Sequence, residues 1–334
     1  MTKKTPWWQW LIMLLVAAFL LYFAFRGVKW QDFAAGIASC DFRWIGVSML
    51  ASILAFVVRG LRWRLIMLPL NGGITRRNAY DGVTVAYLTN FALPRAGEFA
   101  RCGVIAATGK ASFESVLGTV VLERSWDMLS YIIILLVVLF AGESKFMEFV
   151  SENVLAQAAG SFSATTLWIV FSLLVIAAVG LLLIYKYRKR LGKNRFAGKI
   201  VRVMSGLWDG LVTGIKMKDK WTFLLYTVLL WACYWVMSYT TILAFPQVSD
   251  LNWADAMFLM VVGGMGWIVP VQGGIGAYHF ILSLAMASIY GIPQASGVVF
   301  ATISHESQAL TMLVCGALSL FSIYLSKTKK RKTV

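Results

Sequence analysis

Glu123, Arg124 and Asp127 stand in a run, residues 116–141, that is otherwise apolar enough to cross a bilayer. Ionisable groups at such depth are costly, and they pair with one another or line a polar cavity. Glu123 and Asp127 are four apart, so both carboxylates face one side of a helix, with Arg124 beside them. Paired carboxylates suit general acid–base chemistry, metal ligation or a proton relay. No His or Cys stands close in sequence to complete a metal set, so no metal is expected. Structural pairing with Arg95 or Arg101 and a proton- or substrate-linked role both remain open.

A second constellation precedes it. Asn90, Pro94, Arg95, Gly97, Glu98 and Arg101 surround a Pro-x-x-Gly turn, with Glu98 and Arg101 three apart on one helical face. Guanidinium groups there suit an anionic lipid headgroup; the competing reading is an internal ion pair that holds the turn. A third set is Gln272, Gly273, Gly274 and Gly276, followed downstream by His305 and Glu306. The glycine run resembles a phosphate-cradling loop, but it lacks the lysine of a P-loop and a preceding strand. It reads either as a tight turn or as a close approach to an anion at a helix N-terminus. Neighbours on a helix point about 100° apart, so His305 and Glu306 are not expected to form a local dyad. His305 is either a hydrogen-bonded core residue or, with Glu306, a proton-coupling group.

These residues must be held by membrane-spanning helices. The chain has 334 residues, 59% hydrophobic and 14% charged, against about a quarter charged in soluble domains. Several runs reach spanning length, which makes this an all-α polytopic membrane protein. Its net charge of +16 comes from Lys and Arg beside apolar runs. That is the pattern of cytoplasmic loops, with no separate basic domain for nucleic acid. Cys40, Cys102, Cys233 and Cys315 have no metal spacing and read as packing residues. No small-residue cleavage site follows the first apolar run, so it is read as an uncleaved helix.

Full spans are predicted over residues 7–25, 44–70, 116–141, 167–187, 221–245 and 294–325. Arg59, Arg62 and Arg64 are taken to mark the cytoplasmic end of the second, and a short loop with Asp32 and Asp41 precedes it. Residues 80–108 and 254–292 are apolar segments broken by Pro and Gly, read as re-entrant pairs; such breaks mark sites in transporters. Residues 204–217 read as an amphipathic interfacial helix with Trp208, Leu211, Val212 and Ile215 on one face. Basic loops then put both termini in the cytoplasm. The single transmembrane domain, 1–334, divides into repeats over 1–150 and 160–334. Each has two spans, a re-entrant pair and one polar span. Leu93–Gly97 corresponds to Val269–Gly273, and Thr119–Glu123 to Thr302–Glu306, entering from opposite sides as an inverted-topology repeat.

Asn90-x-x-Leu93-Pro94-Arg95-x-Gly97-Glu98-x-x-Arg101, Glu123-Arg124-x-x-Asp127 and Pro270-x-x-Gly273-Gly274-Ile275-Gly276 resemble the membrane region of lysylphosphatidylglycerol synthase/flippase proteins. The resemblance spans nearly the whole chain. It implies a lipid translocase with two re-entrant elements in a cell (inner) membrane, crossing it several times. Only a short tail follows Leu325, so the family's cytosolic aminoacyltransferase domain is not expected here. Ala277-Tyr278-His279 stands where members often carry an Arg-Glu-like pair.

The sequence therefore predicts a flippase for a polar or anionic lipid, working by alternating access and without a cofactor. Its substrate-binding candidates are Asn90, Arg95, Glu98, Arg101, Glu123, Arg124, Asp127, Gln272, Gly273, Gly274 and Glu306, with His305 and Glu306 as candidates for proton coupling. An integral-membrane transferase using a lipid-phosphate donor is the alternative, as is a non-catalytic partner of a separate lipid- or glycan-modifying enzyme. Sparse His content and the missing metal motif favour transport over enzymology. A membrane lipid is the expected partner, with a homo-oligomer or a separate enzyme as further candidates.

Overall fold

The structure, a computed structural model, describes residues 7–141, 146–147, 151, 195–269 and 271–332. Among them the regular structure is helical, with no strand. The helices are α1 (Trp7–Phe25), α2 (Trp30–Ala38), α3 (Phe42–Met67), α4 (Arg76–Ala92), α5 (Gly97–Ala106), α6 (Phe113–Ala141), α7 (Arg195–Lys216), α8 (Lys220–Leu243), α9 (Trp253–Ile268), α10 (Ala277–Tyr290) and α11 (Gln294–Lys332). Four segments are long and apolar enough to cross a membrane: Phe42–Met67, Lys220–Leu243, Gln272–Tyr290 and Gln294–Ser326. A fifth arises if Leu14–Phe25 and Trp30–Ala38, bent by 84°, count as one. Large side chains such as Leu50, Met128, Phe140, Val228 and Phe321 are exposed on α3, α6, α8 and α11, as in a protein whose outer surface meets lipid tails. The expected span at 167–187 and the acidic and basic loops around it lie outside the described residues.

Both broken segments form helix pairs. α4 opens with a capping box, Thr75 with Asn78, and α9 opens with another, Asn252 with Asp255. α4 ends before Pro94, and the chain turns through Arg95, whose φ of 64° is the one positive value at a non-glycine among the described residues. α5 then runs back along α4: a Cβ on Gly97 would lie 2.3 Å from the Ala86 carbonyl, and one on Gly82 would lie 3.6 Å from Arg101 Cβ. In the second pair, a Cβ on Gly266 would lie 2.5 Å from Tyr278 Cα. The turn Gln272–Gly274 joins α9 to α10; Pro270 itself lies outside the described residues. At ten residues α5 is far too short to cross alone, whereas Gln272–Tyr290 is long and apolar enough to cross by itself.

The second turn touches the end of α4. A Cβ on Gly273, φ 57°, would meet the Phe91 ring at 2.6 Å, and Phe91 lies in the last turn of α4. On the other side a Cβ on Gly276 would lie 2.6 Å from the Ala17 carbonyl of α1. The second turn is thus wedged between α1 and α4, and the first turn of α10 is buried. Close backbone approach explains these glycines without an anion. α11 fastens the hairpins together: Thr84 Oγ1 donates to Ser319 Oγ at 2.8 Å, and a Cβ on Gly316 would meet Leu88 Cβ at 2.5 Å.

One local expectation changes. The stretch with Asp32 is a helix, α2, instead of a loop. α7 packs through Gly206, Gly210 and Gly214 against α6, with Gly118 opposite Gly210, the small-residue contact that lets membrane helices approach closely. Trp208 and Ile215, from the apolar face read off the sequence, remain exposed. All four cysteines are free and buried.

Candidate functional site

The polar residues gather in two groups. In the first, α6 supplies Glu123 and Asp127 on one side, as their spacing requires. Glu123 is fully buried and takes three guanidinium groups. Arg59 Nε lies 3.1 Å from Oε1, Arg62 Nη2 lies 3.3 Å from the same oxygen, and Arg101 Nη1 reaches Oε2 at 2.5 Å. Asp127 binds Arg59 Nη2 at 2.5 Å and also Arg62. Arg59 further donates to Tyr234 Oη of α8 at 3.1 Å. The guanidinium of Arg101 lies over Trp63, 4.8 Å from the ring centroid, and Trp63 donates to Thr119 Oγ1 at 3.0 Å. α3, α5, α6 and α8 are therefore tied at one level.

Arg59 and Arg62 are the members that sequence reasoning missed. Both are buried within α3 and ion-paired; Arg64 alone of the three reaches a following loop, donating to the Ile74 carbonyl at 2.7 Å. The signal was present: Leu65, Ile66 and Met67 continue the apolar run beyond Arg62, and two arginines three apart share one helix face.

The group opens at one edge. Arg124 Nη2 lies 2.6 Å from Glu98 Oε1, and the Arg124 side chain is 46% exposed. Four arginines (59, 62, 101, 124) thus face three carboxylates (98, 123, 127), leaving one positive charge over. Donors are also left over: no partner among the described residues meets Arg62 Nε and Nη1 or Arg101 Nε and Nη2, all buried. In Arg101 those two nitrogens form the side edge of the guanidinium, the fork that binds phosphate or carboxylate bidentately.

Asn90 and Arg95 sit at the hairpin turn. Asn90 Oδ1 accepts from Gly97 N–H at 2.8 Å, closing the turn, and Arg95 is exposed at its tip.

The second group lies beneath the other turn. His305 Nε2 is 2.8 Å from the Gly273 carbonyl oxygen, and Nδ1 is 2.9 Å from Glu306 Oε1. The adjacent pair does make contact, contrary to the expectation from helical angles, because the long Glu306 side chain reaches back to the ring. His305 is fully buried while the Glu306 side chain is 56% exposed. Trp267 stacks on His305 with centroids 5.1 Å apart, and His279 lies 5.0 Å from it. Tyr278 Oη and Ser304 Oγ, 2.8 Å apart, brace the same face. Gln272 and Gly274 belong to the turn; Gly273 reaches the group through its carbonyl alone.

The family model described as the lysylphosphatidylglycerol synthase TM region matches residues 10–316. The chain belongs to this family. A search of curated proteins and one of solved structures each found no match. Lysylphosphatidylglycerol synthase TM regions are membrane domains, and this member, with several apolar helices, is a multi-pass membrane protein. Both polar groups fall within the matched residues.

Proposed function

We propose that this member of the lysylphosphatidylglycerol synthase TM-region family moves a phosphate-bearing lipid headgroup between membrane leaflets. The observation that carries the reading is the surplus of buried guanidinium: one net positive charge and four donor atoms on Arg62 and Arg101 without acceptors among the described residues. Buried donors left unmade cost about 1–3 kcal/mol each, so a site that keeps them needs an anion for part of its cycle. A headgroup phosphate meets the Nε/Nη2 edge of Arg101 in the bidentate geometry that arginine favours. Arg124 and Glu98, at the exposed edge, are the approach to it, and Arg95 stands exposed at the turn tip.

The two helix pairs support alternating access. Each first arm starts with a capping box, each break carries glycine, and the second turn packs on the last turn of α4. Inverted halves that rock about such a contact carry a site from one side to the other. Arg101 is only 2% exposed, so its edge becomes accessible when the halves move. The transferase alternative needs a free base, and Glu123 and Asp127 are both committed to guanidinium groups.

The test is leaflet exchange of fluorescent lipids in proteoliposomes, comparing phosphatidylglycerol, phosphatidylethanolamine and a neutral diacylglycerol. Phosphate-bearing lipids are expected to exchange faster than in empty vesicles, with no effect on the neutral lipid. Arg101→Lys keeps the charge but loses the fork, and is expected to slow exchange at least tenfold while the purified protein still runs as a monodisperse species. No acceleration for any lipid, or a wild-type rate in the folded variant, refutes the proposal.

A further inference from the structure

Both ring nitrogens of His305 face acceptors. The Gly273 carbonyl can only accept, so Nε2 carries the hydrogen that joins them. In the neutral ring Nδ1 then turns its lone pair toward the Glu306 carboxylate, 2.9 Å away. Two electron-rich atoms hold that distance only with a cation between them, either a proton or a metal ion. His279 distinguishes the two. It is 3% exposed, its Nδ1 is buried, and no hydrogen-bond partner meets that atom among the described residues. One ligand atom from each of His279, His305 and Glu306 lies within 4.8 Å of the others. A proton on His305 answers the carboxylate and leaves His279 unexplained; a metal ion uses all three.

We propose that His279, His305 and Glu306 bind a first-row divalent cation of the zinc class. Two imidazoles and one carboxylate suit Zn²⁺, whereas Mg²⁺ and Ca²⁺ take oxygen ligands. The Gly273 carbonyl supplies the outer contact that fixes the tautomer and orientation of a ligating histidine. Trp267 stacked on the ring holds it in plane. Ligand atoms around tetrahedral zinc stand about 3.4 Å apart, from bond lengths of about 2.0–2.1 Å, and rotation of the His279 ring, whose Nδ1 has no partner among the described residues, would close the remaining gap. Three protein donors leave a position for water on the side of exposed Glu306. The ion would join α10 to α11 directly beneath the second turn, so it would clamp the hairpin that packs against Phe91.

The chain contains two histidines, both in this cluster, which makes the test clean once any polyhistidine tag is removed. The full-length protein in detergent is stripped with EDTA and titrated with Zn²⁺, following metal content and melting temperature, and with Co²⁺, following its visible ligand-field absorption. One ion per chain, a rise in melting temperature with Zn²⁺ and a tetrahedral Co²⁺ spectrum are expected. His279→Asn is expected to weaken affinity by at least about tenfold and to abolish the Zn²⁺-dependent rise; Glu306→Gln provides an independent second variant at a partly exposed position. Equal affinity in wild type and His279→Asn overturns the proposal. So does the absence of stoichiometric binding, which leaves a proton as the cation between His305 and Glu306.

Discussion

Glu123→Gln removes a charge without changing shape. The wild-type carboxylate is fully buried and accepts from Arg59, Arg62 and Arg101. Glutamine keeps one acceptor oxygen but turns an amide N–H toward guanidinium N–H groups, and the group of residues gains a second uncompensated positive charge. Removing one partner of a buried ion pair costs about 3–5 kcal/mol, since the remaining charge stays desolvated. At roughly 2 °C per kcal/mol, the lower end of the range for larger chains, the melting temperature should fall by about 6–10 °C. The assay is a thermal melt of the detergent-purified protein, read by intrinsic fluorescence and by retention as a monodisperse species. Glu98→Gln is the internal comparison. Its pair with Arg124 is partly exposed on both sides, and such pairs contribute about 0.2–1 kcal/mol, which here amounts to about 2 °C or less. A Glu123→Gln melt within about 2 °C of wild type, or an equal loss in Glu98→Gln, refutes the buried network as the element that ties α3, α5, α6 and α8 together.

Arg95→Gly separates conformation from chemistry at the first turn. A left-handed backbone costs a non-glycine residue about 1–2 kcal/mol, a cost that glycine relieves at φ 64°, while loss of the guanidinium should slow lipid exchange; unchanged exchange would remove Arg95 from the headgroup path. Gly97→Ala drives a Cβ to 2.3 Å from the Ala86 carbonyl and should cost about 1–3 kcal/mol as overpacking. Gly103→Ala in the same helix meets nothing within 4 Å and should be neutral or stabilising by up to about 1 kcal/mol; a melt that ranks the two alike would contradict the antiparallel packing of α4 on α5.

Much of the site was legible because its signals are local. Pro94 and Gly97 stop one helix and permit another, and the structure breaks between Ala92 and Gly97. The spacing of Glu123 and Asp127 put both carboxylates on one face, and Arg101, one of two partners considered, is the arginine that reaches Glu123. The last span, expected over 294–325, is the apolar part of α11, Gln294–Ser326. Arg59 and Arg62 were not recognised as members of the polar group for a physical reason: counting basic residues near span ends locates cytoplasmic loops, but it does not distinguish an arginine in water from one neutralised by a carboxylate on another helix. The glycine face by which α7 packs on α6 is a partner choice of the same kind: periodicity marks the apolar stripe of Trp208 and Ile215, while Gly206, Gly210 and Gly214 meet α6 on another side.

The sequence by itself determined the membrane class, the helix breaks and the presence of costly charges at depth. These follow from transfer energies, proline and glycine sterics, and helical periodicity, each of which acts within a few residues of chain. Partner choice belonged to the tertiary structure. Glu123 meets Arg59 and Arg62 across 64 and 61 positions of sequence, and Gly273 meets His305 across 32. Periodicity tells which way a side chain points from its own helix axis, but the helix it meets is set by packing of the whole bundle. Hence the paired arginines of α3, and the convergence of His279, His305 and Glu306 beneath the second turn, appear only in three dimensions.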